Sequence, residues 1–261
     1  MVRKMALVAA VLASLAVFSP AEVVREEVVR KLVEKYQGGE FRGAVEVSMM
    51  VAGNPVKTPC RFWVKGSKVR VDMVMNQPGL EEPMEQTMVF DEKGLTMFQK
   101  KLGLVMKLDF TKLPEELRKQ VKSARGLTSP EEALREIATL GDRLKISEKS
   151  RDGRNYYLIE VDNIEELVKQ FPFTGQQPEK KVTRVSLWVT STDYTPERLE
   201  VFGKEAQPGL TVDFKELVKE KIPESSFDLK IPSDAQVLDI TEMLLKMKEA
   251  AGKGVSGTQT K

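Results

Sequence analysis

The chain of 261 residues has no histidine and a single cysteine. The first absence removes histidine-based triads, imidazole general bases and nearly all zinc sites. The second excludes an internal disulfide, although an exported protein could form one. Net charge is lacking too. Arg3 and Lys4 are the only charges before Glu22, and removing them from the 41 basic residues leaves 39, against 39 acidic ones. That balance favours neither nucleic acid nor an acidic membrane surface. Acid pairs occur at Glu81-Glu82, Glu115-Glu116, Glu131-Glu132 and Glu165-Glu166. Sequence neighbours do not face one another on a helix, and two of the pairs open predicted helices, where acids complement the dipole. No nucleophile stands with a base and no motif asks for a cofactor or a metal. These absences direct the reading away from an enzyme and toward a binding protein.

Long apolar runs are scarce as well. One exists, Met5 to Phe18, between the basic Arg3-Lys4 and the small-residue segment Ser19-Pro20-Ala21. It is short for a membrane span and has the order of a signal peptide cut after Ala21. No Cys follows the cut, so no lipid anchor is expected. Residues 1–21 therefore read as a signal peptide, 22–249 as a single domain, and 250–261 as a disordered tail rich in Gly, Ser, Thr and Lys.

What the chain does have is alternation. Phe41, Gly43, Val45, Val47, Met49 and Val51 fall on one side of a strand, with Arg42, Glu46 and Ser48 on the other. This period-two pattern marks a half-buried strand. It returns at Cys60, Phe62, Val64, then at Val69, Val71, Met73, Met75, and again from Leu102 to Phe110. Cys60 lies on the apolar side and reads as a small buried hydrophobe. Asn54-Pro55, Gly66-Ser67 and Asp91–Gly94 are predicted turns, Thr87–Phe90 a short strand, and the block a meander. Eight of the twelve Met lie between Met49 and Met106. Thioether side chains suit surfaces that fit variable apolar partners.

Around this block lie helical signals. Glu22 to Tyr36 carries an apolar stripe and ends at Gly38-Gly39. Pro114–Lys122 and the capping box at Ser129–Glu132 predict two short helices, with Leu117, Val121, Leu134 and Ile137 on their apolar sides. Strands are predicted at Leu144–Ser147, Tyr156–Val161, Val182–Thr190, Glu197–Phe202 and Leu210–Phe214. Phe227, Leu229 and Ile231 predict a last one, and Thr241–Lys248 a terminal helix. The expected fold is mainly β with α.

Specific stretches resemble the LolA/LolB-like family of periplasmic outer-membrane lipoprotein carriers. Phe62-Trp63-Val64-Lys65 is similar to its second strand, and Phe90-Asp91 to Phe98 to its Asp-Gly hairpin. Leu187-Trp188-Val189 with Tyr194 to Leu199 is similar to its late hairpin, and Phe227 to Pro232 followed by Val237-Leu238-Asp239 to its closing stretch. The resemblance covers about residues 22 to 240. It implies an incomplete, strongly bent antiparallel barrel with helices covering the concave face, and a cavity for lipid or lipoprotein acyl chains. The implied wall is Val47, Met49, Phe62, Val64, Val69, Val71, Met73, Met88, Met97 and Met106, and the implied lid carries Leu117, Val121, Leu134 and Ile137. A periplasmic, monomeric carrier without cofactor is expected. The alternative is an envelope sensor that binds a membrane-protein partner through the same fold. One departure stands out: the best-known carriers place a lid-latching Arg where this chain has Gly66, and alternation points Arg61 and Arg70 to the opposite face.

Overall fold

The computed structural model describes residues 20–36, 39–51, 54–75, 82–115, 118, 140, 143–162 and 182–253. The predicted lid positions Leu117, Val121, Leu134 and Ile137, residues 1–19, and 254–261 lie outside them. The architecture is one twelve-stranded sheet with a helix near each end of the described chain. Helix α1 spans Pro20–Tyr36. The first meander is β1 (Phe41–Val51), β2 (Asn54–Lys65), β3 (Lys68–Met75), β4 (Met84–Phe90), β5 (Gly94–Gln99) and β6 (Leu104–Asp109). The second is β7 (Leu144–Arg151), β8 (Arg154–Asp162), β9 (Arg184–Thr190), β10 (Pro196–Phe202) and β11 (Pro208–Lys219). A short β12 (Gln236–Asp239) and helix α2 (Ile240–Lys253) follow. The spatial order is β12-β6-β5-β4-β3-β2-β1-β11-β10-β9-β8-β7, so the sheet is open, an incomplete barrel with β12 and β7 at its edges.

Turn chemistry sets the hairpins. Gly66 has φ +54 between the paired Lys65 and Lys68. A two-residue hairpin with positive φ at its first central position prefers glycine there, and an L side chain in that conformation is strained by about 1–2 kcal/mol. This is the physical reason that Gly66, and not an arginine, suits the place. Asp91 caps its own turn, accepting from the backbone N–H groups of Lys93 and Gly94 at 2.7 and 2.9 Å. Asp152 and Gly153, at φ 52 and 74, turn β7 into β8.

Several boundaries differ from the sequence reading. Asn54 and Pro55 pair with Val51 and Met50 inside β2, so the turn comes earlier. Pro55 and Pro59 are tolerated because pairing of β2 with β3 starts only at Cys60, which leaves that edge without a ladder bond to lose. Phe227–Ile231 is not a strand. Phe227 ends a 3-10 turn (Glu224–Phe227), and the strand forms further on, where Gln236–Asp239 lies parallel to β6. β11 continues to Lys219, because a bulge at Lys215, opposite Ala44 and Val45 of β1, shifts the register and moves the next inward residue from Phe214 to Leu217. Helix α2 reaches Lys253, into the segment expected to be a tail.

The core sits under α1. Val28, Leu32 and Tyr36, one turn apart, are buried against Phe41, Leu144, Ile159 and Val189. Each such side chain contributes about 2 kcal/mol by leaving water. The C-terminal end of α1 is tied down by polar contacts. Lys35 Nζ donates to Asp193 O at 2.5 Å and Thr195 Oγ1 at 2.7 Å, and Tyr36 OH donates to Tyr194 O at 3.3 Å. Burial pushes the Tyr36 phenol up to about 12. A second cluster, Leu95, Leu108, Phe110 and Leu113, packs with Met88, Phe90 and Ile240.

Candidate functional site

Residues directly opposite in an antiparallel pair share a face, so the register maps the inner wall. One row runs Gly43–Phe62–Val71–Met88–Met97–Met106–Leu238 across seven strands. The next, toward the base, is Phe41–Val64–Val69–Phe90–Leu95–Leu108. The row toward the mouth is Val45–Cys60–Met73–Gln86–Gln99–Leu104–Gln236, beyond which lie Val47 opposite Thr58 and Met49 opposite Val56. Gly43 makes room for the first row: a Cβ there would stand 2.6 Å from Phe62 Cζ and 2.4 Å from Glu216 O, so the Phe62 ring lies across β1.

All ten sequence-predicted wall residues therefore stand on one face. They are not equivalent. Val64 packs against the α1 cluster and Met88 against the second cluster, so both also serve the core. Phe41, Leu95 and Leu108 close the base. Val47, Phe62, Val69, Val71, Met73, Met97 and Met106 are half-buried, and Met49, near the β1–β2 turn, is 38% exposed. Burial along the strands is patchy: Phe41, Leu95 and Leu108 are buried in one row, Cys60, Thr58 and Gln86 in the rows nearer the β1–β2 turn, and the methionine row between them is only partly buried.

Its electrostatics are simple. On this face of β1 to β6, none of the described residues is charged. Charges go to the outer face. There Lys57 pairs with Glu46 at 3.0 Å, Lys100 with Glu85 at 2.9 Å, and Arg42 with Glu216 at 2.8 Å and Glu220 at 2.5 Å. Arg61 and Arg70 are on the outer side as expected. Arg70 Nε donates to Asp72 Oδ1 at 2.8 Å, lies 5.2 Å from the centre of the Trp63 ring, and donates to Ser226 O at 3.0 Å. It is fully employed there and cannot serve as a latch over the wall. Cys60 is buried, and burial pushes its thiol up, which keeps it a neutral hydrophobe.

Sequence reasoning missed Thr58, Gln86, Gln99 and Leu104 as wall residues. The signal was present: Met84-Gln86-Met88-Phe90 alternates, but the polar Gln86 interrupted the apolar pattern and the strand was expected to begin only at Thr87. Cavities elsewhere have a different character. One of about 320 Å³ on the outer face is lined by Arg151, Arg154, Tyr156, Trp188, Glu197 and Asp213, among others. Its ions are paired, Arg154 with Glu197 at 3.2 Å and Arg198 with Asp213 at 2.6 Å, as in a solvated charge network.

No protein-family model matches the chain, and no curated protein matches it either. Solved structures do. An uncharacterized conserved protein from Thermus thermophilus is 13% identical, with a TM-score of 0.49, over 83% of this chain and 99% of that one. A LolA superfamily protein from Nitrosomonas europaea is 14% identical, with a TM-score of 0.32, over 78% and 97%. The MucA/MucB complex of Pseudomonas aeruginosa contains a chain 12% identical, with a TM-score of 0.39, over 81% and 62%.

Proposed function

We propose that the chain is an exported binding protein that holds lipid or lipoprotein acyl chains against its concave face for transfer through the cell envelope. The observation that carries this reading is the uncharged, methionine-bearing inner wall of β1 to β6, whose middle row from Phe62 to Met106 is only partly buried. Acyl chains gain about 0.8 kcal/mol per buried CH₂, so such a wall holds them without any charged contact. The Met residues on it adapt to chains of different shape. No helix among the described residues is long and apolar enough to cross a membrane.

A fluorescent fatty-acid probe tests the reading. The delipidated protein is expected to bind it with micromolar affinity or better, about −8 kcal/mol. Absence of binding returns the Met-rich face to ordinary core.

A second reading has its own observation. Leu102, Val237, Leu238, Met243 and Leu244 are exposed around the β6–β12 edge and the start of α2. An apolar sheet edge of this kind suits a protein partner, as an envelope sensor of a membrane protein would need. Mass spectrometry of the protein purified from envelope separates the two: extracted lipid supports the carrier, one stoichiometric protein supports the sensor.

A further inference from the structure

Four polar side chains are buried among the described residues: Thr58, Gln86, Ser186 and Thr241. A buried hydrogen-bonding group without a partner is destabilising, and native structures seldom leave one so. Two of the four are satisfied. Ser186 Oγ donates to Glu160 Oε1 at 3.4 Å, and Thr241 Oγ1 accepts from the Asp109 N–H at 2.9 Å. The other two make no side-chain hydrogen bond among the described residues, and although each residue is only 8% exposed, their polar atoms keep contact with solvent, since Arg184 Nε is the buried side-chain atom without a partner among the described residues. Both groups without a protein partner stand on the inner wall, where a ligand would cover them, and both hydrogen-bonded ones belong elsewhere. Thr58 faces Val47, and Gln86 lies between Met73 and Gln99. Gln99 also makes no side-chain hydrogen bond among the described residues. Gln86 is one row closer to the mouth than the Met88–Met97–Met106 row, and about 14 Å along the strand from the base at Phe90.

We propose that Gln86, with Gln99 beside it and Thr58 across β3, is the polar recognition point of the wall, and that its amide donates to the ester or amide carbonyl of a bound acyl chain. The proposal rests on the acyl-binding reading above and names the ligand class within it. The depth fits: a carbonyl at Gln86 leaves the hydrocarbon tail along the methionine row and the base, and the head group at the mouth. A site built to hydrogen-bond a group discriminates against the analogue that lacks it, because its own donor, cut off from water by the bound chain, is then left unpaired. A chain joined by an ether, without the carbonyl, leaves Gln86 in that state.

The test compares a fluorescent diacylglycerol with its dialkyl ether analogue, which differs only at the two carbonyls, on the delipidated full chain. The wild type is expected to bind the diacyl form about tenfold more tightly. Gln86→Leu is expected to lose that preference by weakening the diacyl form alone, with a cooperative melt retained. Should Gln86→Leu fail to fold, Gln86→Met and Thr58→Val carry the same comparison. Equal affinity of the wild type for the two lipids, or an unchanged preference in the variants, overturns the recognition point and leaves acyl binding standing. Binding of neither lipid overturns both.

Discussion

The concave face is one surface in register but two in chemistry. Over β7, β8 and β9 its inward residues include Leu144, Ile159 and Val189, buried in one cluster with Val28, Leu32 and Tyr36 of α1, and Ile146, Tyr157, Val161 and Leu187 partly buried around them. Over β2 to β6 they include Phe62, Val71, Met73, Met97 and Met106, which are partly buried and do not belong to that cluster. Both halves obey the same period-two rule, so alternation alone does not separate a core from a wall. What separates them is side-chain type and the presence of a partner helix. Branched and aromatic residues occur in both halves, but the half against α1 has no methionine, whereas Met73, Met88, Met97 and Met106 join Phe62 and Val71 in the other. Unbranched thioethers suit a surface where a fixed jigsaw fit would be a disadvantage.

The sharpest way to break this comparison is to place a charge in each half. Val189→Asp puts a carboxylate at a position with no exposure. An unpaired buried charge cannot be hydrated, and the domain is expected not to fold. Met73→Asp is half-exposed on the open wall, so a cooperative melt should persist while apolar-probe binding weakens at least about tenfold, or about 1.4 kcal/mol. Equal unfolding of both variants, followed by circular dichroism, would mean that the two halves are one core.

Truncation gives a smaller contrast. Leu32→Ala should cost about 2–5 kcal/mol in a urea melt, the range for a cavity in a packed core. Met97→Ala should cost about 1 kcal/mol or less, because it removes a side chain that is only half out of water. Comparable losses would show that the wall is packed as tightly as the core.

The smallest effect concerns acid. Asp193 anchors the C-terminal end of α1. It accepts from the Thr190 and Thr195 hydroxyls and faces Lys35, and these contacts hold its carboxyl down at about 2. A depressed folded value stabilises the protein above the unfolded value of 3.8, and that contribution disappears as pH falls through about 2. The side chain is largely exposed, so the term is about 1 kcal/mol at most. Asp193→Asn should therefore flatten the acid limb of a stability–pH curve between pH 4 and 2, and leave the affinity of the open wall for an apolar probe unchanged.

Much of this was legible in residue order. Alternation from Phe41 to Met106 identified the strands and assigned ten residues to one face, and Gly66 and Asp91–Gly94 marked hairpins that the structure has. The illegible parts have physical causes. The strand at Gln236–Asp239 has exposed side chains on both faces, so it carries no period; it exists because β6 offers an edge. Phe227, Leu229 and Ile231 carry the period without the pairing, since Phe227 is buried from a turn. The bulge at Lys215 broke the pattern in β11 after Phe214. Thr58 and Gln86 were hidden because a polar residue on an inner face contradicts the rule used to find that face.

The β1–β11 seam has a consequence for assembly. Every other antiparallel pairing joins strands consecutive in the chain, whereas β1 pairs with a strand that begins at Pro208. Each meander can form from near neighbours in sequence at modest entropic cost. Their union must wait for a contact spanning most of the chain, and such contacts form slowly. A chain delivered from its N-terminus therefore presents β1 as a free edge, with its row of unpaired amides, until β11 arrives. Over that interval the protein is a half-sheet in search of a strand, and holding other chains away from that edge falls to whatever accompanies the chain as it emerges.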